Sequence, residues 1–298
     1  MARWPLDRAH LSYYALRVVG ALAPRIPARP GYRLFGSFGL LAARYGSALP
    51  AVLDNVAHVL GQDAPVARRR AVVEGIYRHQ GKNYYDVFRL PALRDERIAG
   101  LVTVHGREHL DAALALGRGA IIVSIHLGNV EIPAHALALQ GYPILAVMEH
   151  LRPEALYRYM VALRGRRGVQ VIPADGALRP VFRALKANGI VGLVADRDTT
   201  NSGAVVEFFG APARLPDGYA QLMARTGAAA VPCFGIRRPD DSFEVHIEPP
   251  VIPGQGDGPG NQILYMDKVL RVVESYISRY PEQWVMFQPV WKLWGASE

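Results

Sequence analysis

From residue 98 to residue 195, short apolar runs rich in β-branched residues alternate with stretches whose apolar positions recur at helical spacing. That grammar leaves few folds open. The runs are Val102–His105, Ala120–Ile125, Ile144–Met148, Val169–Ile172 and Ile190–Ala195, separated by helical patterns at Glu108–Leu116, Ile132–Leu139, Glu154–Arg164 and Pro180–Ala187. Parallel strands need a crossover, usually a helix, so the alternation predicts a mostly parallel sheet with helices on its faces. Further along, Val205–Phe209 reads as an irregular edge and Gly218–Arg225 as a helix. Ala229–Ile236 and Phe243–Ile247 read as strands, Pro253–Gly260 as a surface loop and Gln262–Tyr280 as a long helix. Residues before about 90 are helical throughout, at Leu34–Tyr45, Ala51–Leu60 and Ala67–Phe88. The expectation is one α/β domain: a helical layer over residues 1–95, and a core over 96–298 with a mixed, mostly parallel sheet flanked by helices.

Composition narrows the partners. Half of the 298 residues are apolar and 20% are charged, which excludes global disorder. The net charge of +8, with pI near 9.7, suits anionic surfaces and carriers. Aromatic residues do not interleave with the basic clusters as in a nucleic-acid module, so no nucleic-acid partner is expected. Cys233 is the only cysteine, in the apolar run AAAVPCFGI, and reads as a buried small hydrophobe. Leu11–Ala23 is too short and too interrupted by Arg17 to span a bilayer. With Tyr13, Tyr14 and Val18 beside Arg8, Arg17 and Arg25, it suits a helix lying in a membrane interface.

Chemistry concentrates at the ends of the predicted strands, where open α/β sheets bind ligands. His126 follows Ala120–Ile125, and Glu131 opens the next helix. An imidazole beside a carboxylate can take a proton from a hydroxyl, the carboxylate orienting the ring. A strand–turn–helix joint can fold Glu131 back toward His126 across their spacing of five. Glu149 and His150 follow the next strand, and Asp196, Arg197 and Asp198 follow Ile190–Ala195. Arg164 ends a helix just before Arg166 and Arg167, and arginine forks suit phosphate. Ser124 shares His126's strand face, but no Gly-x-Ser-x-Gly elbow surrounds it, so direct transfer chemistry is expected over a covalent intermediate.

Taken in order, these blocks resemble the bacterial lysophospholipid-acyltransferase superfamily, in its branch of late lipid A acyltransferases and phosphatidylinositol mannoside acyltransferases. The resemblance is carried by SIHLGNVE with His126 and Glu131, and by the upstream YRHQGKNYYDVFRLP. EHLRPE with ALYRYMVALRGRRGVQVIP adds Glu149 and Arg164. ADRDTTNSGAVVEFFGAPARLPDG and the terminal YPEQWVMFQPVW complete it, over roughly residues 70–294. DRD followed by FFG and RLPDG is more similar to the mannoside branch, although Glu131 stands where aspartate is common there. The resemblance implies a glycerol-3-phosphate-acyltransferase-like fold on the cytoplasmic face of the plasma membrane, peripheral or monotopic. It implies transfer of an acyl chain from acyl-CoA or acyl carrier protein to a glycolipid hydroxyl. No cofactor or metal is implied. His126 would act as general base oriented by Glu131, and N–H groups of Gly128 and Asn129 would meet the developing oxyanion. Glu149, Arg164, Asp196, Arg197 and Asp198 would bind substrate.

Other readings of the same residues stay open at this point. A lipid A-type acyltransferase would draw on acyl carrier protein. A metal-dependent hydrolase would gather His126, Glu131, Asp196 and Asp198 around an ion. A catalytically silent lipid binder would have no need of a base.

Overall fold

The structure is a computed structural model that describes residues 8–165, 167–198, 202–254 and 260–292. For residues 8–12 it describes the backbone alone. Arg166, the start of the Asn201-Ser202-Gly203 loop and most of the Pro253–Gly260 loop lie outside the described residues, as does the Arg8 side chain.

Four long helices come first: α1 (Arg8–Leu22), α2 (Ala28–Tyr45), α3 (Leu49–Leu60) and α4 (Val66–Arg89). After the short α5 (Asp95–Ala99), strands and helices alternate as β1 (Val102–His105), α6 (Arg107–Ala115), β2 (Ala120–Ser124), α7 (Glu131–Leu139) and β3 (Ile144–Met148). They continue as α8 (Glu154–Arg164), β4 (Val169–Pro173), α9 (Leu178–Lys186) and β5 (Ile190–Val194). The chain ends in β6 (Ala204–Phe208), β7 (Ala211–Leu215), α10 (Gly218–Thr226), β8 (Ala229–Arg237), β9 (Phe243–Ile247) and α11 (Gln262–Arg279).

Seven strands form one mixed sheet in the order β1-β9-β8-β2-β5-β3-β4. Its neighbours run parallel except for the β8–β9 hairpin, as the alternation of patterns predicts. The chain is thus a single α/β domain with a mostly parallel sheet flanked by helices. β2 lies in the middle and every one of its residues is buried, which explains why its sequence is a continuous apolar run rather than an alternation. The predicted edge at Val205–Phe209 is instead one arm of a separate two-stranded antiparallel hairpin, β6 with β7. Phe209 and Gly210 turn that hairpin with positive φ, and the pattern of a two-residue turn was hidden by the aromatic at its first position.

Within the N-terminal layer, α2 packs on α4 through backbone contact. A Cβ added to Gly39 on α2 would lie 2.0 Å from the Tyr77 carbonyl of α4, and one on Gly81 would lie 2.1 Å from that of Phe35. Only glycine permits that crossing. It fixes one face of α2 and leaves Leu34, Phe38, Leu41 and Tyr45 exposed on the other.

Candidate active site

Alternate residues of a strand share a face. On one face of the sheet, Ile122, Ser124 and His126 line a cavity of about 1110 Å³, together with Ile144, Ala146 and Met148 of β3. Val169 and Val171 of β4 and Gly192 and Val194 of β5 extend the same apolar wall. Val87 and Phe88 of α4 and Leu156 and Met160 of α8 line it as well. Glu149, Arg164, Arg197 and Asp198 supply polar lining near His126. Most of the cavity is therefore hydrocarbon-like, with its chemistry at the carboxyl ends of the strands.

The partner of His126 is not the one its spacing invites. His126 Nδ1 lies 2.7 Å from Asp196 Oδ1, and the His126 backbone N–H donates to Asp196 Oδ2 at 2.8 Å. β2 and β5 pair in parallel with Ser124 opposite Val194, so the residues two steps beyond each strand arrive side by side. Asp196 is 2% exposed. Burial raises its carboxyl pKa, but the His126 charge and hydrogen bonds from His126 and the Trp284 indole outweigh this, and the net shift is downward. An ionised Asp196 draws the imidazole proton to Nδ1, leaving the Nε2 lone pair available to a substrate.

Glu131 is occupied elsewhere: its Oε1 lies 2.6 Å from Arg164 Nε, an ion pair between the first turn of α7 and the last of α8. The expected His126–Glu131 contact is replaced by two separate pairs, His126–Asp196 and Arg164–Glu131. Arg197 reaches back to Glu149 across neighbouring strand ends. Asp198 accepts the backbone N–H of Gly203 at 2.8 Å. Ser124 is buried at the cavity wall, and its Oγ has no hydrogen-bond partner. Cys233 is fully buried; burial first, then the Glu248 charge, pushes its thiol up to about 12, so it stays protonated. Among the described residues, no three His, Cys, Asp or Glu side chains are placed to hold a metal ion.

The loop after His126 is clamped from three directions. Gly128 N–H donates to the Gln283 carbonyl at 2.9 Å, and Asn129 N–H donates to that of Gly235 at 2.8 Å. These two groups, expected at an oxyanion, are thus already committed to carbonyls, because the loop needs them to hold its shape. Gly128 has φ +61°, and a Cβ there would sit 2.0 Å from the Gly235 oxygen, so the glycine is sterically required. Asn129 Oδ1 accepts the N–H groups of Glu131 (2.9 Å) and Ile132 (3.3 Å), capping α7. Its Nδ2 donates to Asp86 at 2.9 Å, and Asn83 on α4 donates to the Gly128 carbonyl.

Asp86, Arg237 and Trp284 are the structural residues that spacing did not reveal. A signal existed for two of them. Asp86 sits in an aromatic helix segment, and Arg237 closes the otherwise apolar strand AAVPCFGIR; both are fully buried charges that require each other.

This constellation, a strand-end His–Asp pair beside a mostly apolar cavity, is of a kind suited to acid–base chemistry on a largely apolar substrate. The sequence model of the bacterial lipid A biosynthesis acyltransferases matches residues 6–293, and the chain belongs to that family of acyltransferases. It is 32% identical over 288 residues to a phosphatidylinositol mannoside acyltransferase of Mycobacterium tuberculosis, covering 94% of this chain and 86% of the relative. A protein of the same name from Mycolicibacterium smegmatis is 33% identical over 278 residues, covering 91% and 88%. The lipid A biosynthesis lauroyltransferase of Escherichia coli is more distant, at 25% over 267 residues, covering 89% and 86%.

Proposed function

We propose that this acyltransferase moves a fatty acyl chain from a thioester to a hydroxyl of a phosphatidylinositol mannoside-like glycolipid, with His126 as general base and Asp196 as its orienting partner. The observation that carries the reading is the His126–Asp196 pair at the polar end of a cavity walled by one apolar face of the sheet. The acceptor hydroxyl gives its proton to His126 Nε2 as its oxygen attacks the thioester carbonyl carbon. The tetrahedral intermediate then expels the thiolate, which recovers the proton from the imidazolium. The protein's own contribution is to hold the ring, to exclude water along the apolar wall, and to place the acyl chain.

The two ion pairs, Arg164–Glu131 and Arg197–Glu149, are the groups this reading assigns to the headgroups of donor and acceptor. Either acyl-CoA or acyl carrier protein would serve as donor. The greater identity to the mannoside enzymes than to the lauroyltransferase favours the mannoside-type acceptor.

The same reading rests the protein peripherally on the cytoplasmic face of the plasma membrane. Tyr14, Val18 and Leu22 on α1 are exposed, as are Leu34, Phe38, Leu41 and Tyr45 on α2. Arg17 and Arg33 are exposed on the same helices, and such faces suit a headgroup layer. No helix among the described residues is long and apolar enough to cross a membrane.

The experiment is a transfer assay with purified protein, acyl-CoA or acyl carrier protein, and a panel of glycolipids, read by mass spectrometry. Acyl-lipid should form from a mannoside acceptor, with and without chelator. Free fatty acid as the main product in the presence of acceptor would make the protein a thioesterase instead. Thioester left intact under every combination would end the enzyme reading.

A further inference from the structure

Asp196 has two oxygens with different duties. Oδ1 faces the imidazole at 2.7 Å, whereas Oδ2 accepts two donors, the His126 backbone N–H at 2.8 Å and the Trp284 indole N–H at 2.9 Å. A carboxylate with a single anchor can turn about its terminal torsion, which is broad for aspartate. With Oδ2 held by two fixed donors, that rotation is suppressed and Oδ1 stays within hydrogen-bond reach of the ring.

Trp284 is itself immobilised, 2% exposed, on a segment that returns from α11 to the catalytic loop. The Gln283 carbonyl accepts Gly128 N–H at 2.9 Å, and Val285 N–H donates to the His126 carbonyl at 2.8 Å. Gln283 also exchanges two side-chain bonds with the Arg237 backbone, both 2.9 Å. The indole is therefore positioned by the same short ladder that positions the loop.

We propose that Trp284 is a positioning residue for the reaction: its indole N–H fixes the Asp196 carboxylate, and through it the orientation of the His126 base. The inference rests on the acyl-transfer reading above and names a residue that acts on it from outside the cavity.

A natural control lies beside it. Trp291 is also buried, its ring centroid 6.2 Å from that of Trp284, and its indole N–H donates at 2.9 Å to the Phe208 carbonyl rather than to a catalytic group. The test compares Trp284→Phe with Trp291→Phe in the transfer assay, with kcat and KM measured per folded molecule and unfolding midpoints recorded. Each variant loses one buried indole hydrogen bond, so a merely structural role predicts matched effects. The positioning role predicts kcat roughly tenfold lower or more in Trp284→Phe, with KM unchanged, and kcat preserved in Trp291→Phe.

Should Trp284→Phe fail to fold, 3-benzothienylalanine introduced at position 284 keeps the ring's shape and replaces only the N–H by sulfur. It should show the same loss of kcat. Equal kcat in the control and in either Trp284 variant would overturn the inference while leaving acyl transfer intact. Absence of transfer by the unmodified protein would instead bring down the functional reading, and this inference with it.

Discussion

Two buried aspartates stand on opposite sides of the loop that follows His126, and each receives three hydrogen-bond donors. Asp86 takes the Tyr32 hydroxyl at 2.6 Å, Asn129 Nδ2 at 2.9 Å and the Arg237 guanidinium. Asp196 takes the His126 backbone N–H, His126 Nδ1 and the Trp284 indole. Their surroundings are alike and their roles differ because of one partner. Arg237 keeps its charge at every accessible pH: burial alone would lower its pKa, but the charges of Asp86 and Tyr32 raise it on balance. The Asp86 cluster is therefore a fixed ion pair that ties α4 to β8 and to the loop. In the Asp196 cluster the partner is an imidazole, whose second nitrogen is left over to accept a proton as no guanidinium nitrogen can. One aspartate holds the loop in place, and the other holds the imidazole that stands at the loop's start.

The largest effects should separate these roles most sharply. His126→Ala and Asp196→Asn should each lower kcat roughly 100-fold or more, the scale of general-base catalysis, with a smaller loss of stability in denaturant unfolding than Asp86→Ala. Unchanged transfer in Asp196→Asn would remove it from the mechanism.

Asp86→Ala should do the reverse in kind. It leaves the buried Arg237 guanidinium with Asp241, at 3.5 Å, as its remaining acidic partner, at a cost of up to about 3–5 kcal/mol in unfolding free energy. A double variant, Asp86→Leu with Arg237→Met, should recover much of that loss. If the double variant is no more stable than the single, the charge-pair account of this cluster fails.

Glu131→Gln comes next in size. Because Glu131 holds Arg164 and not the imidazole, its loss should raise KM by up to about tenfold and leave kcat within a few-fold of the parent protein. A kcat collapse matching that of Asp196→Asn would restore Glu131 to the role its spacing suggests.

The smallest effect concerns His79 on α4, where burial first, then the charges of Arg237, Lys82 and Arg78, lowers its pKa to about 3. A folded value below the unfolded 6.5 means that stability is full above pH 6.5 and is lost as pH falls toward 3. Between pH 6.5 and 5.5 the loss should be about 1 kcal/mol, and His79→Gln should flatten that part of the stability profile. An identical slope in both proteins would show that His79 is not held neutral.

How far the sequence can be read depends on whether the determining interaction is local. The strand at Ala120–Ser124, the helix opening at Glu131 and the alternation around them are set by burial period and turn residues within a few positions, and the structure has them where the pattern puts them. The hairpin of β6 and β7 was half-legible, because Phe209 adopts a backbone conformation that glycine or asparagine usually announces. The strand-end rule gathered His126, Glu149, Asp196, Arg197 and Asp198 to one end of the sheet, and all of them but the buried Asp196 line one cavity. It could not say which of them touch.

The sequence by itself determined an α/β chain of this acyltransferase family with a histidine delivered to the end of its central strand. Tertiary structure alone decided what orients that histidine. Glu131 is five residues away along the chain and Asp196 is seventy, yet the parallel register that sets Ser124 against Val194 brings Asp196 alongside and leaves Glu131 to Arg164. Register is fixed by which apolar faces are buried across the whole sheet, and no local spacing encodes it.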